Sequence, residues 1–341
     1  MAEALRLGLV GAGAISQAYI KALEGSPLAR WAGLADLRSE AAKAAAETMG
    51  CPAYASHQEL VEKAGIDAVI ICTPPASHTD IALYFLEQGI PVLCEKPLSV
   101  DVAGAKVIVE AAEKKGVVLA MASKFRYVDD VIRAKSLIAS GVLGEILLFE
   151  NAFTAKVDMS KRWNTDPKVG GGGVLIDNGT HSVDIARYLL GPIAEVLAVE
   201  GRRSQSAAVE DTANLFLRTE TGIPGSVDLS WSINKELDTY VRIYGSNGTI
   251  LIGWRESKFR QASSPDWVVF GRGYDKNQAF GRQVANFCRR VISSEPLLIS
   301  NEDAIASVAV IQAAYESLAE RRWISVPKAG ETAPPLLRLH G

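Results

Sequence analysis

The sequence predicts a two-domain α/β protein, with a parallel, doubly wound sheet first and an open, largely antiparallel sheet carrying helices second. Three observations predict it. Short apolar runs alternate with helical patterns over roughly the first 120 residues, the texture of βαβ units. A glycine-rich turn, Gly11-Ala12-Gly13-Ala14-Ile15-Ser16, joins the first run to the first helical pattern. Beyond residue 123, alternating segments follow one another closely, as in an antiparallel or mixed sheet.

In chain order, the first domain needs strands at 5–10, 29–35, 68–72, 91–94 and 117–121. Helix starts are signalled by Ser56 with Glu59 and by Ser77 with Asp80, the S-x-x-[E/D] spacing of a capping box. Pro74 and Pro75 end the third strand abruptly. The later part predicts a helix over 129–140 and strands at 145–153, 195–203, 212–218, 225–232, 239–245 and 249–253. Asn247-Gly248 reads as a tight primed hairpin turn, because both residues tolerate positive φ. Helices follow over 280–293 and 302–320, the second with acids in its first turn and Arg321 and Arg322 at its end, matching the helix dipole. The expected domains are 1–123 and 124–330, with a loosely held tail over 331–341 that contains Pro334 and Pro335.

At 341 residues, 48% of them hydrophobic, the chain is long enough for two cores and apolar enough to fill both. A net charge of -3 without long basic runs gives no electrostatic footprint for nucleic acid or an anionic membrane, so small solutes are the expected partners. No stretch reaches membrane-span length, and the N-terminus lacks a basic region followed by an apolar core, so a cytoplasmic protein is expected. Cys51, Cys72, Cys94 and Cys288 are too scattered for a zinc site and read as free thiols.

The glycine turn has the context a dinucleotide site requires. Gly11 permits the tight turn, and Gly13, with Ala14 and Ile15 at the helix start, lets a pyrophosphate approach backbone N–H groups. Ser16 stands where a third glycine usually packs helix against strand. Asp36, after the second strand, is placed to accept hydrogen bonds from ribose hydroxyls, which favours NAD; Leu37 flanks it. Arg38, two residues on, suits a 2′-phosphate and keeps NADP as the alternative. Thr73, Pro74 and His78 follow the third strand at the edge where a cofactor crosses the sheet, and His78 reads equally as part of a capping segment.

Glu95-Lys96-Pro97 closes the fourth strand, placing a lysine at the carboxyl edge where open α/β sheets hold ligands. The second rare feature is the run Gly170 to Gly173 leading to Asp177 and His181. Four glycines cost backbone entropy, which makes sense if the chain turns closely about a ligand or another backbone. On a helix, Asp177 and His181 share one face at i, i+4, and the carboxylate can orient the imidazole; Asp184 joins or caps that face. Oxidising an alcohol with a nicotinamide requires a base for the hydroxyl proton, which His181 supplies, while Lys96 hydrogen-bonds the reacting oxygen. Trp163 and Arg126 are candidate substrate contacts, each with packing as its bland alternative; for Tyr127 packing ranks first. Lys161, Arg162 and Lys168 read as a solvated loop.

Taken together, Gly11-Ala12-Gly13, Thr73-Pro74 with His78, Glu95-Lys96-Pro97, Gly141-Val142-Leu143-Gly144-Glu145 and the glycine run to His181 give a chain that resembles the Gfo/Idh/MocA oxidoreductases over nearly its whole length. The resemblance implies a Rossmann domain followed by an α/β domain whose open sheet often forms a subunit interface, hence a homodimer or homotetramer. It implies NAD(P)-dependent redox chemistry at a ring carbon of a sugar, cyclitol or related polyol. By position Lys96, Asp177 and His181 match the family's catalytic lysine, aspartate and histidine, while Glu95 belongs to the cofactor side. Two other readings compete: a glycosidase using tightly held NAD for transient oxidation, and a silent nucleotide-binding regulator. A short-chain dehydrogenase is disfavoured because no Tyr-x-x-x-Lys occurs.

Overall fold

The computed structural model describes residues 4–327, so the expected tail lies outside the described residues. The chain forms two compact units, each described by itself. The first comprises the residues through Tyr127 together with Lys276–Ile305; the second comprises Val128–Asp275 and the chain from Ala306 onward.

In the first unit the elements are β1 (Leu5–Val10), α1 (Ser16–Leu23), β2 (Ala29–Ala35), α2 (Ser39–Met49), β3 (Ala53–Tyr54), α3 (His57–Ala64), β4 (Ala68–Ile71), α4 (His78–Glu87), β5 (Val92–Glu95), α5 (Val102–Lys115) and β6 (Leu119–Ala122). The strands form one parallel sheet in the order β3-β2-β1-β4-β5-β6. Connectivity reverses between β1 and β4, so their carboxyl ends flank the switch point at which such sheets bind ligands. β4 and β5 are wholly buried, and their near-continuous apolar runs follow from coverage on both faces.

The helix starts partly follow the capping signals. Ser56 accepts from the Glu59 N–H at 3.2 Å and Glu59 in turn accepts from the Ala55 N–H at 3.1 Å, fixing the start of α3. Ser77 does not cap α4. A short 3-10 turn over Pro75–Ser77 precedes that helix, and the Ser77 hydroxyl bonds back to Thr73 and Pro74. The cap that sequence reasoning missed is Asp101, whose carboxylate accepts from Gly104 N–H at 2.7 Å to begin α5.

The second unit contains α6 (Asp129–Ala139), β7 (Ile146–Thr154), α7 (Pro167–Gly170), α8 (Val174–Leu190), β8 (Ile193–Glu200), β9 (Thr212–Thr219), β10 (Pro224–Ser230), β11 (Thr239–Gly245), β12 (Gly248–Gly253), β13 (Ser257–Gln261) and β14 (Val268–Gly271). Next in the chain is α9 (Lys276–Ser293), a component of the first unit. It buries Phe280, Val284, Phe287 and Cys288 in the core that holds Tyr19, Ile20 and Leu23 of α1. That stripe has helical spacing, but nothing local to it shows which sheet it covers. A single boundary at 123 with one domain running to 330 therefore misplaces residues 276–305. The last elements are α10 (Asn301–Glu320) and β15 (Ile324–Ser325).

The second sheet runs β14-β13-β12-β11-β7-β10-β9-β8-β15, antiparallel except where β7 and β10 pair in parallel. β9 alternates buried and more accessible residues, as a sheet covered on one face must. On the open face lie Val199, Phe216 and Trp323, each more than a third exposed. The β11–β12 connection departs from expectation. Its two linking residues are Ser246 and Asn247, neither at positive φ, and their N–H groups bond to Glu145 and Leu143 carbonyls at 2.8 Å. Gly248 is needed for space: a Cβ there would stand 2.6 Å from the Arg260 carbonyl oxygen.

Candidate functional site

In the first unit, Gly11 has φ +100°, and a Cβ on it would stand 2.9 Å from the Cys72 backbone. Only glycine meets both demands. Gly13 is the opposite case, since a Cβ there would meet no atom of the chain within 4 Å. The cradle beside it is open, and no side chain caps α1, as the approach of a pyrophosphate to this helix start requires. Ala14 and Ile15 complete the turn. Ser16 is buried and donates its hydroxyl to the Gly13 carbonyl at 2.6 Å, so it stabilises the turn it was expected only to fit.

Asp36 is drawn into the same turn. Its Oδ2 accepts from Ala12 N–H at 2.7 Å and its Oδ1 from Arg38 N–H at 2.8 Å, with the Arg38 guanidinium closing on both oxygens at 3.1 Å. Burial acts to raise this carboxyl, but the hydrogen bonds from Arg38 and Ala12 outweigh it and hold Asp36 below its ordinary range. Leu37 is 92% exposed beside it, an apolar side chain left at the rim of the turn.

His78 is fully buried. One ring nitrogen lies 2.8 Å from the Pro97 carbonyl oxygen and the other 2.8 Å from that of Thr73, so the ring bridges two loops. Both ring nitrogens serve the backbone. Burial lowers its pKa. Glu95 is likewise held by neighbouring groups of the chain. Its Oε1 accepts from the Tyr19 hydroxyl at 2.6 Å and its Oε2 from Lys96 N–H at 3.1 Å, while Gln283 donates to the Tyr19 oxygen at 3.0 Å. Burial raises the Glu95 pKa, with Tyr19 and the charges of Lys96 and Lys124 acting against it. Glu95 thus secures the backbone of Lys96, which follows the last residue of β5 beside the carboxyl ends of β4 and β6.

Arg126 is 2% exposed, and its Nη1 donates to Asp303 at 2.8 Å at the start of α10. Its guanidinium is engaged in an ion pair inside the first unit. Tyr127 donates to Asn286 Oδ1 at 3.0 Å and packs, as expected.

In the second unit, Asp177 and His181 lie one turn apart on α8, the helix the glycine run was expected to start. His181 is 8% exposed, and its ring meets Phe153 edge-on at 6.5 Å. Phe153 stacks on Tyr240 at 5.7 Å, and Trp254 and Tyr274 continue this aromatic wall. Asp184 is buried and accepts from Ser307 at 3.4 Å, tying α8 to α10. Trp163 is 46% exposed in a short turn before α7, and Lys161, Arg162 and Lys168 are exposed nearby.

The glycine run turns about protein. A Cβ on Gly172 would stand 1.9 Å from the Tyr315 hydroxyl oxygen, and one on Gly173 would stand 2.1 Å from the Glu210 carbonyl oxygen. Sequence reasoning missed Glu210 and Tyr315. A buried acid 37 residues beyond its partner carries no local signal, although the bare glycine at the N-cap of α8 left a vacancy that some distant acceptor had to fill.

Two family models match this chain. Residues 5–123 match the oxidoreductase family with an NAD-binding Rossmann fold, and residues 131–251 match the Gfo/Idh/MocA C-terminal domain. The chain belongs to the Gfo/Idh/MocA oxidoreductase family. It is 26% identical to inositol 2-dehydrogenase of Rhizobium meliloti, over 94% of this chain and 99% of that protein. Among solved structures, GenD2 from gentamicin A biosynthesis in complex with NAD is 26% identical, with a TM-score of 0.85 over 96% of this chain and 97% of that one. Levoglucosan dehydrogenase in complex with NADH shares the fold, with a TM-score of 0.88 at 24% identity over 95% of this chain and all of that one. Among the described residues no helix is long and apolar enough to cross a membrane, and no group of His, Cys, Asp and Glu is arranged to hold a metal ion.

Proposed function

We propose that this protein is an NAD-dependent dehydrogenase that oxidises a ring hydroxyl of a sugar, cyclitol or related polyol, or reduces the matching ketone. The observation that carries the reading is Lys96 at the end of β5, beside an NAD-type cradle, in a chain whose α8 presents Asp177 and His181 on one face. Bound NAD supplies the hydride acceptor. The open turn at Gly11 and Gly13 holds the pyrophosphate, and Asp36 accepts from the ribose hydroxyls. Arg38 is already engaged on Asp36, which favours NAD over NADP.

As the carbinol hydrogen leaves as hydride, His181 takes the hydroxyl proton and Asp177 holds its tautomer and stabilises the imidazolium. Lys96 hydrogen-bonds the reacting oxygen and offsets the charge that develops there. Trp163 borders the substrate. Arg126 is left out of the proposed site because Asp303 holds its guanidinium. The relatives named inositol 2-dehydrogenase and levoglucosan dehydrogenase support a polyhydroxylated ring as the substrate class.

The exposed row of Val199, Phe216 and Trp323 supports self-association through the open sheet face as a homodimer or homotetramer, measurable by light scattering. Free cysteines at 51, 72, 94 and 288 suit a reducing compartment, and we place the protein in the cytoplasm. The functional test is a screen of cyclitols, aldopyranoses and anhydro sugars for NADH formation. Turnover of at least one class supports the reading; NAD binding without turnover of any class, in either direction, supports the silent regulator.

A further inference from the structure

The first turn of α8 has an acceptor brought from elsewhere in the chain. Gly173, at the N-cap, has no side chain with which to satisfy the N–H groups that every helix start leaves open. Glu210 does so instead: its Oε1 accepts from Gly173 N–H at 3.1 Å and Leu175 N–H at 3.0 Å, and its own carbonyl oxygen accepts from Val174 N–H at 2.9 Å. Tyr315, on α10, donates its hydroxyl to the same Oε1 at 2.8 Å and accepts from Gly173 N–H at 3.1 Å. Glu210 is 5% exposed and Tyr315 6%. Every bond to this oxygen comes from a donor, and the positive end of the helix favours negative charge there. Burial pushes the Glu210 carboxyl up, with Tyr315 and the backbone N–H groups pulling against it.

Two of the four glycines exist for this lock. With any larger residue at 172 or 173, the chain could not approach Tyr315 and Glu210 as it does. The lock closes one turn before Asp177, whose N–H makes a helical bond to the Gly173 carbonyl at 3.0 Å. A shift of that first turn therefore moves Asp177 and His181 with it.

We propose that Glu210, together with Tyr315, is a positioning residue for the reaction: it sets the first turn of α8 and so the placement of Asp177 and His181. Glu210 acts through the helix start and transfers no proton. The proposal rests on the functional reading above only in assigning chemistry to those two side chains.

The test compares Glu210→Ala, Glu210→Gln and Tyr315→Phe with the wild type, using the best substrate of the screen and active sites counted by NADH binding. Misplacement of the reacting groups by a fraction of an ångström predicts a kcat lower by about 10- to 100-fold in Glu210→Ala, with KM and NADH affinity little changed. Glu210→Gln keeps an amide oxygen where Oε1 stands and recovers most of that loss. Tyr315→Phe, which keeps the ring, falls between them. A separate readout needs no turnover: the imidazole carbon resonances of His181, assigned with His181→Asn, shift in Glu210→Ala and return in Glu210→Gln. Wild-type kcat and an unmoved His181 resonance in Glu210→Ala overturn the proposal, as does a Glu210→Gln enzyme no better than Glu210→Ala. Should Glu210→Ala fail to fold, Tyr315→Phe decides, and an unchanged kcat and resonance there overturn it. A wild type without activity whose His181 resonance still answers to Glu210 removes the dehydrogenase reading and leaves the positioning role standing.

Discussion

Tyr19→Phe isolates the buried hydrogen bond that supports the strand end bearing Lys96. The hydroxyl donates to Glu95 at 2.6 Å and accepts from Gln283 at 3.0 Å, and all three side chains are buried. Phenylalanine keeps the edge-on contact with Phe280 at 5.0 Å, so little packing is lost. What is lost is one hydrogen bond to a charged group, about 1.5–3 kcal/mol, with Gln283 left short of an acceptor. A loss of about 2 kcal/mol at the midpoint lowers Tm by roughly 4–8 °C in a domain of about 150–250 residues.

The loss also depends on pH, and its sign follows from Glu95. Burial raises the folded pKa of this carboxyl, and the Tyr19 hydrogen bond acts against the rise. A raised carboxyl binds more protons in the folded state, so its contribution to stability falls as pH climbs from the unfolded value of about 4.3 through the folded pKa. Removing Tyr19's hydroxyl raises that folded pKa further. The difference between variant and wild type is therefore smallest below both folded pKa values and grows as pH climbs through them. Thermal melts of both proteins across that range, with NADH binding as a check on folding, give the answer. A loss below about 0.5 kcal/mol, or one that does not grow with pH, refutes the reasoning.

Three further perturbations test other joints of the structure. Gly173→Ala sets a methyl against the Glu210 carbonyl and costs about 1–3 kcal/mol in denaturant melts; a neutral result contradicts the glycine assignment. Asp303→Ala removes the carboxylate that pairs with the buried Arg126 guanidinium and costs about 3 kcal/mol, while substrate KM stays near wild type; a KM effect without a stability effect would return Arg126 to the substrate site. Asp36→Asn weakens NADH binding by about tenfold in calorimetric titration and relaxes the preference over NADPH; unchanged affinity removes Asp36 from the ribose site.

Much of the first unit was legible in the sequence because its signals are local. The strand runs lie within a few residues of β1, β2, β4, β5 and β6, and the glycine turn carries its own geometry. What was hidden is what the chain settles by distant contact. The partners of His78 and Glu95 include Pro97, Tyr19 and the Lys96 backbone, and nothing in the local sequence marks the first two. Arg126 finds Asp303 across 177 positions, and α9 returns to the first unit after the whole second sheet has intervened. The strands β3 and β15 escaped notice because segments of two residues have no periodicity to read. In the second unit, the i, i+4 spacing of Asp177 and His181 was readable, but the reason for the glycines before them lay in Glu210 and Tyr315.

The most direct test of the central claim is hydride tracing. The best substrate of the screen, deuterated at the reacting carbinol carbon, is incubated with NAD and either the wild type or Lys96→Ala, and the deuterium is followed by mass spectrometry. The wild type is expected to carry the label to the nicotinamide in net turnover, and Lys96→Ala to slow transfer by about 10²–10⁴-fold while still binding NADH. Label that returns to the product without net NADH formation, or transfer by Lys96→Ala at the wild-type rate, would contradict it.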